Sequence, residues 1–147
     1  MSIWWSLHLR REAASVPLAR RLLLGAMETA GVDPEVSFDL SVALSEACAN
    51  AVEHGGDGAE GGYSEAYRVT AYLDGEKCRI EVADSGPGFA PRRGRAPAHE
   101  SEESGRGLCL IEQLADHVHF RSRPGQGAVV SFDKILKWRE GALLGVV

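Results

Sequence analysis

The sequence predicts an α+β protein, a two-layer α/β sandwich with helices on one face of a mixed, mostly antiparallel sheet. Three observations lead there. Stretches of helical periodicity alternate with pairs of short β-prone runs, in the order β-α-α-β-β-(loop)-α-β-β. The 147 residues suit one domain spanning 1–147, since domains run to about 100–200 residues and a chain of this size folds without disulfide or metal. Apolar residues make up 44% and charged residues 25%, a globular balance rather than a disordered one.

Each element has its own signal. Ile3 to Leu9 reads I-W-W-S-L-H-L, a short β-prone run and the first strand. Ser15 then serves as an N-cap, Pro17 sits in the first turn, and L-A-R-R-L-L-L-G-A-M-E-T-A runs as a helix that Gly31 stops. Asp33 caps a second helix that has Pro34 at its first position and runs to about His54. Its apolar residues Leu40, Leu44, Ala47, Cys48 and Ala51 line one buried face. Gly55 to Gly62 is a glycine-rich connector. Strands follow over Tyr67 to Leu73 and Cys78 to Ala83, joined by the turn Asp74-Gly75-Glu76. Ala90 to Ser104 has no apolar periodicity and predicts a mobile loop. Gly105 to Ala115 returns to helical spacing through Leu108, Ile111, Gln113 and Leu114. Strands at about Val118 to Ser122 and Ala128 to Asp133, joined by P-G-Q-G, close the chain.

Composition narrows the function. Sixteen Lys and Arg against twenty-one Asp and Glu leave a net charge of −5, which disfavours a general nucleic-acid binder. No apolar run approaches the roughly 20 residues of a membrane span, and the start has no signal-peptide pattern. Cys48, Cys78 and Cys109 are odd in number and widely spaced, so disulfide and zinc readings both fail. Their apolar neighbours make all three small core residues of a reducing compartment, so the expected location is the cytoplasm.

Three clusters carry chemistry. The first is L-S-E-A-C-A-N-A-V-E-H on the second helix, where Glu46, Asn50 and His54 form one polar stripe at i, i+4, i+8. A carboxylate one turn from a carboxamide oxygen suits a proton acceptor beside a hard cation such as magnesium. Taken alone, such a stripe is more often the wet face of an amphipathic helix. The second is D-S-G-P-G-F, in which a strand ends at Asp84, and Gly86 and Gly88 allow close approaches that a Cβ would forbid. A buried Asp there can accept a hydrogen bond from an amino group on a planar ring, although D-S-G-P-G is also simply a good turn. The third is S-G-R-G-L-C-L-I, where Gly105, Arg106, Gly107 and Leu108 open a helix whose free N–H groups can face an anion. It is neither a P-loop nor a dinucleotide fingerprint, and alone it is weak.

Their order is what gives them weight. A polar E-x-x-x-N-x-x-x-H helix, a D-x-G-x-G turn after a strand, and a loop leading to G-x-G-L resemble the N, G1 and G2 boxes of the GHKL ATPase/kinase superfamily, which has the Bergerat fold. The resemblance covers essentially the whole chain. With its short domain, its A-S-V-P-L-A-R-R entry helix and its L-S-E-A-C-A-N-A-V-E-H-G phrase, the chain most resembles the bacterial anti-sigma-factor serine/threonine kinases. That resemblance implies ATP and Mg2+ as cofactors, Glu46 as general base and Asn50 as magnesium ligand. It implies that Asp84 recognises the adenine amino group and that Gly86 and Gly88 shape its pocket. Gly105, Arg106, Gly107 and Leu108 would contact the phosphates, residues 90–104 would form an ATP lid, and His54 would fall at the last position of the N box. The implied partners are a STAS-type anti-sigma-factor antagonist as phosphate acceptor and a sigma factor held by binding, with no nucleic acid and no membrane. One position departs from the pattern, since family members often carry Thr or Ser where Ala128 stands in G-Q-G-A-V-V.

A histidine-kinase reading needs an accepting His on a separate dimerisation helix. The chain offers none: His8, His117 and His119 fall in predicted strands, His99 in the lid, and His54 in the N box. Two readings remain: a protein serine/threonine kinase, and a nucleotide-gated binding module with little or no phosphotransfer. Trp4, Trp5 and the leucines of the first helix read equally as a homodimer face, which the resemblance suggests, and as ordinary packing.

Overall fold

The computed structural model describes residues 2–54, 66–84, 108–123 and 127–141. Strand β1 (Ile3–Arg10) leads into two helices, α1 (Ser15–Ala30) and α2 (Pro34–His54), and then strands β2 (Ala66–Leu73) and β3 (Lys77–Asp84). A short helix α3 over 108–114 precedes β4 (His117–Arg123) and β5 (Gly127–Ile135). The predicted order of elements is present in full, with the strands one to three residues longer than their apolar runs indicated. The glycine connector at 55–62, the lid at 90–104 and the start of the third helix at 105–107 lie outside the described residues.

The sheet has five strands in the order β1-β2-β3-β5-β4. All four pairings are antiparallel, so the mixed sheet that the sequence predicts is corrected to a wholly antiparallel one among the described strands. The helical crossover does make β3 and β4 run the same way. Here β5 lies between them and pairs antiparallel with both.

Alternation sets the two faces of the sheet. Leu9, Tyr67, Val69, Ala71, Leu73, Cys78, Ile80, Val82, Val130 and Phe132 point into the core. Against them packs α2, which crosses β3 and reaches β5, and α1 packs mainly on α2. The α2 residues read as its buried face, Leu40, Leu44, Ala47, Cys48 and Ala51, are all in the core.

Local chemistry fixes the boundaries. Gly31 ends α1 at φ 91°, and its N–H and that of Val32 turn back to the carbonyls of Glu28 and Met27 at 3.1 and 3.0 Å. This six-to-one, five-to-two pattern closes the helix in a Schellman motif, with Val32 and Met27 both buried. Asp33 caps α2 as predicted, its Oδ1 accepting the Glu35 N–H at 2.8 Å. Ser15 does not cap α1. The residue before the helix is Ala14, already in helical conformation, and Ser15 is turned inward. In the β2–β3 turn, Asp74 Oδ1 accepts the N–H groups of Glu76 and Lys77 at 2.7 and 2.8 Å. These bonds, that from Lys77 first, hold its carboxyl below the usual range. Trp138 packs beside this turn, half-buried, with Nε1 donating to the Gly75 carbonyl at 3.1 Å. No helix among the described residues is long and apolar enough to cross a membrane.

Candidate active site

Glu46 and Asn50 lie one turn apart on α2, both half-buried. Between them Cys48 points the opposite way, into the core. The amphipathic geometry of α2 thus separates a packing face from a polar stripe, as the spacing requires. His54 is the last residue of α2, and its side chain lies outside the described part of the structure.

Asp84 ends β3 with a relative exposure of 7%, so it is a buried carboxyl rather than a turn residue facing water. Its register partners are Tyr67 on β2 and Ala128 on β5. Directly opposed residues share a face of the sheet, so all three side chains lie on the side that α2 covers. Ala128 is itself buried, and its methyl group stands beside Asp84 where a hydroxyl would have offered a second polar contact.

Tyr67 joins the two halves of the site. Its phenol is hydrogen-bonded to the Cys48 thiol on α2 and lies 2.5 Å from Ser15 Oγ. Ser15 donates its one proton to the Glu12 carbonyl at 2.7 Å, so the Tyr67 hydroxyl donates to Ser15 Oγ. Burial pushes the Cys48 thiol up to about 12 and raises the Tyr67 phenol as well, so both keep their protons at neutral pH. The network ties α2 at Cys48 to the β2 residue that faces Asp84 across the sheet.

A further contact reaches α2 from the β1–α1 turn. Arg11 donates from Nε to the Ala51 carbonyl at 3.1 Å and from Nη2 to the Val52 carbonyl at 2.9 Å. No sequence signal marks Arg11 or the inward role of Ser15. Serine before a helix reads as a cap. Tyr67 is legible only as an inward position of a strand.

Leu108 is the first described residue of α3, and its side chain packs against the core beside fully buried Ile111. Any contact it makes with an anion is therefore through its backbone. Gly86, Gly88, Gly105, Arg106 and Gly107 lie outside the described residues. Cys78 is buried and its thiol is pushed up to about 12, but Cys109 is exposed on α3, which corrects its expected place in the core. Of the tryptophans read as a dimer face, Trp5 packs against the core while Trp4 is 66% exposed. His117 and His119 are strand residues, and His117 Nδ1 lies 2.8 Å from Asp133 Oδ1 on the sheet face away from the helices.

Comparison with known proteins agrees with this architecture. The family model of the histidine kinase-like ATPase domain matches residues 9–134. An anti-sigma F factor of Pasteuria penetrans is 35% identical over 116 residues, covering 74% of this chain and 75% of that protein. A serine-protein kinase RsbW of Bacillus pumilus is 33% identical over 131 residues, covering 82% and 78%. Among solved structures, the RsbU and RsbW domains of a Mycobacterium tuberculosis protein superpose with a TM-score of 0.66 at 22% identity. That match covers 90% of this chain and 33% of the other, and it speaks for the fold alone. The chain belongs to the histidine kinase-like ATPase family, on the branch of the anti-sigma factors and their serine kinases.

Proposed function

We propose that the chain, folded as one domain over 1–147, is an ATP-dependent protein serine/threonine kinase of the anti-sigma type, working in the cytoplasm. The observation that carries the reading is the half-buried pair Glu46 and Asn50, one turn apart on α2, in a fold whose strand β3 ends in buried Asp84. Two relatives named for these activities, an anti-sigma F factor and a serine-protein kinase, support it. The substrate in this reading is a STAS-type antagonist, which the family resemblance supports, and a sigma factor is the second partner, in keeping with the anti-sigma name of the first relative.

In this reading Asp84 accepts the adenine amino group, with Gly86 and Gly88 lining the approach. Gly105, Arg106, Gly107 and the backbone of Leu108 face the phosphates, residues 90–104 close over them, and His54 ends the N box. The carboxamide oxygen of Asn50 is a hard, neutral donor that fits Mg2+, which keeps most of its ligands as phosphate and water and offsets phosphate charge when bound. Glu46 orients the acceptor hydroxyl and takes its proton as that oxygen bonds to the γ-phosphorus and the bond to the departing ADP oxygen breaks. Positioning and electrostatics supply most of the rate.

Ala128 favours a second reading, a nucleotide-gated binding module with little transfer, because its methyl removes one polar contact next to Asp84. Transfer of labelled γ-phosphate from Mg-ATP to a STAS-type antagonist separates the two. A kinase labels the antagonist on serine or threonine, and Glu46→Ala lowers the rate by at least about a hundredfold while sparing ATP binding. A binder gives no label with either protein.

A further inference from the structure

The C-terminal turn of α2 is where the proposed site meets the edge of the fold. Asn50 lies in it, Glu46 lies one turn before it, and α2 ends at His54. The last four carbonyls of a helix have no partner within it, and a helix end left so tends to fray. Arg11 answers both points. Two of its donors take the successive carbonyls of Ala51 and Val52, at 3.1 and 2.9 Å, immediately after Asn50. A planar guanidinium held at two points fixes direction as well as distance, and its charge meets the negative end of the helix dipole.

Arg11 is itself delivered by an anchored segment. The Glu12 N–H bonds the Arg10 carbonyl at 2.8 Å, the Ser15 N–H bonds the Glu12 carbonyl at 2.9 Å, and Ser15 Oγ ties the turn to Tyr67. Tyr67 is the register partner of Asp84. One short turn therefore grips the helix that carries Glu46 and Asn50 and the strand that faces Asp84.

We infer that Arg11 is a positioning residue that holds the last turn of α2, and with it Asn50, in the orientation that magnesium and the phosphates need. This role rests on the kinase reading of Asn50 and Glu46 given above. The fold supplies a matched control in Arg139, whose Nη2 donates to the Glu28 carbonyl at 3.1 Å at the end of α1. None of the proposed site residues lies on that helix.

The test is calorimetric binding of Mg-ATP and of ADP in EDTA, with melting curves, for wild type, Arg11→Ala, Arg11→Lys and Arg139→Ala. Arg11→Ala weakens Mg-ATP binding by roughly tenfold and leaves metal-free ADP within about twofold, the size of effect that orienting groups have on metal sites. Arg11→Lys, which keeps the charge without the fork, recovers part of the loss. Arg139→Ala lowers the melting temperature without changing the ratio of the two affinities. The inference is overturned if Arg11→Ala keeps the wild-type ratio, or if Arg139→Ala shifts it equally. Wild type that binds no nucleotide overturns the kinase reading and this role together; wild type that binds, with Arg11→Ala behaving the same, overturns the role alone.

Discussion

Ser37 is buried at 7% exposure, and its Oγ has no hydrogen-bond partner among the described residues. An orphaned buried hydroxyl costs about 1–3 kcal/mol, and alanine also has the higher helix propensity. Ser37→Ala should therefore raise the unfolding free energy by about 1 kcal/mol in urea denaturation. A loss of stability would show that the hydroxyl has a partner. Ser15 is the contrasting case, since its hydroxyl is engaged on both sides, by Glu12 and by Tyr67. Nothing in a serine's identity distinguishes the two. A polar residue at an inward position is legible in sequence as an exception, but whether it is satisfied depends on partners 52 residues away in the chain.

At the scale of elements, local signals were enough wherever local chemistry decides. Asp33-Pro34 starts α2 and Gly31 ends α1 where the sequence places them, because cap and left-handed stop act within a few residues. Gly31→Ala puts a side chain at φ 91° and should cost roughly 1–2 kcal/mol, read as a lower urea midpoint at unchanged slope. An unchanged midpoint would mean that the α1–α2 connection relaxes to another conformation. The α1 start misled for the opposite reason. Its first turn is held by tertiary contacts of Ser15, and a cap pattern cannot report contacts to another strand. Lys134 is similar: it sits on the core face of β5 and donates to the Leu114 carbonyl at 2.8 Å, closing α3 from a strand.

At the scale of the molecule, the fold class and the order of elements were legible, but the insertion of β5 between β3 and β4 was not. Strand order is settled by which edges close the core, and apolar runs do not encode it. The candidate site divides the same way. Glu46, Asn50 and Asp84 announced themselves by residue type and spacing. The network of Arg11, Ser15, Tyr67 and Cys48 that aligns their supports did not, because it is made of residues ordinary in their own segments.

The claim that a nucleotide binds where β3 ends stands or falls on Asp84. The direct measurement is calorimetric titration of ATP into wild type and Asp84→Asn, with circular dichroism to show that the variant keeps its fold. The substitution puts an amide NH2 donor in place of one carboxyl oxygen, and losing an acceptor of a charge-assisted hydrogen bond in a buried site costs about 1.5–3 kcal/mol. The account predicts ATP binding by wild type and a loss of roughly ten- to a hundredfold in the folded variant. Equal affinity in the two proteins would contradict it.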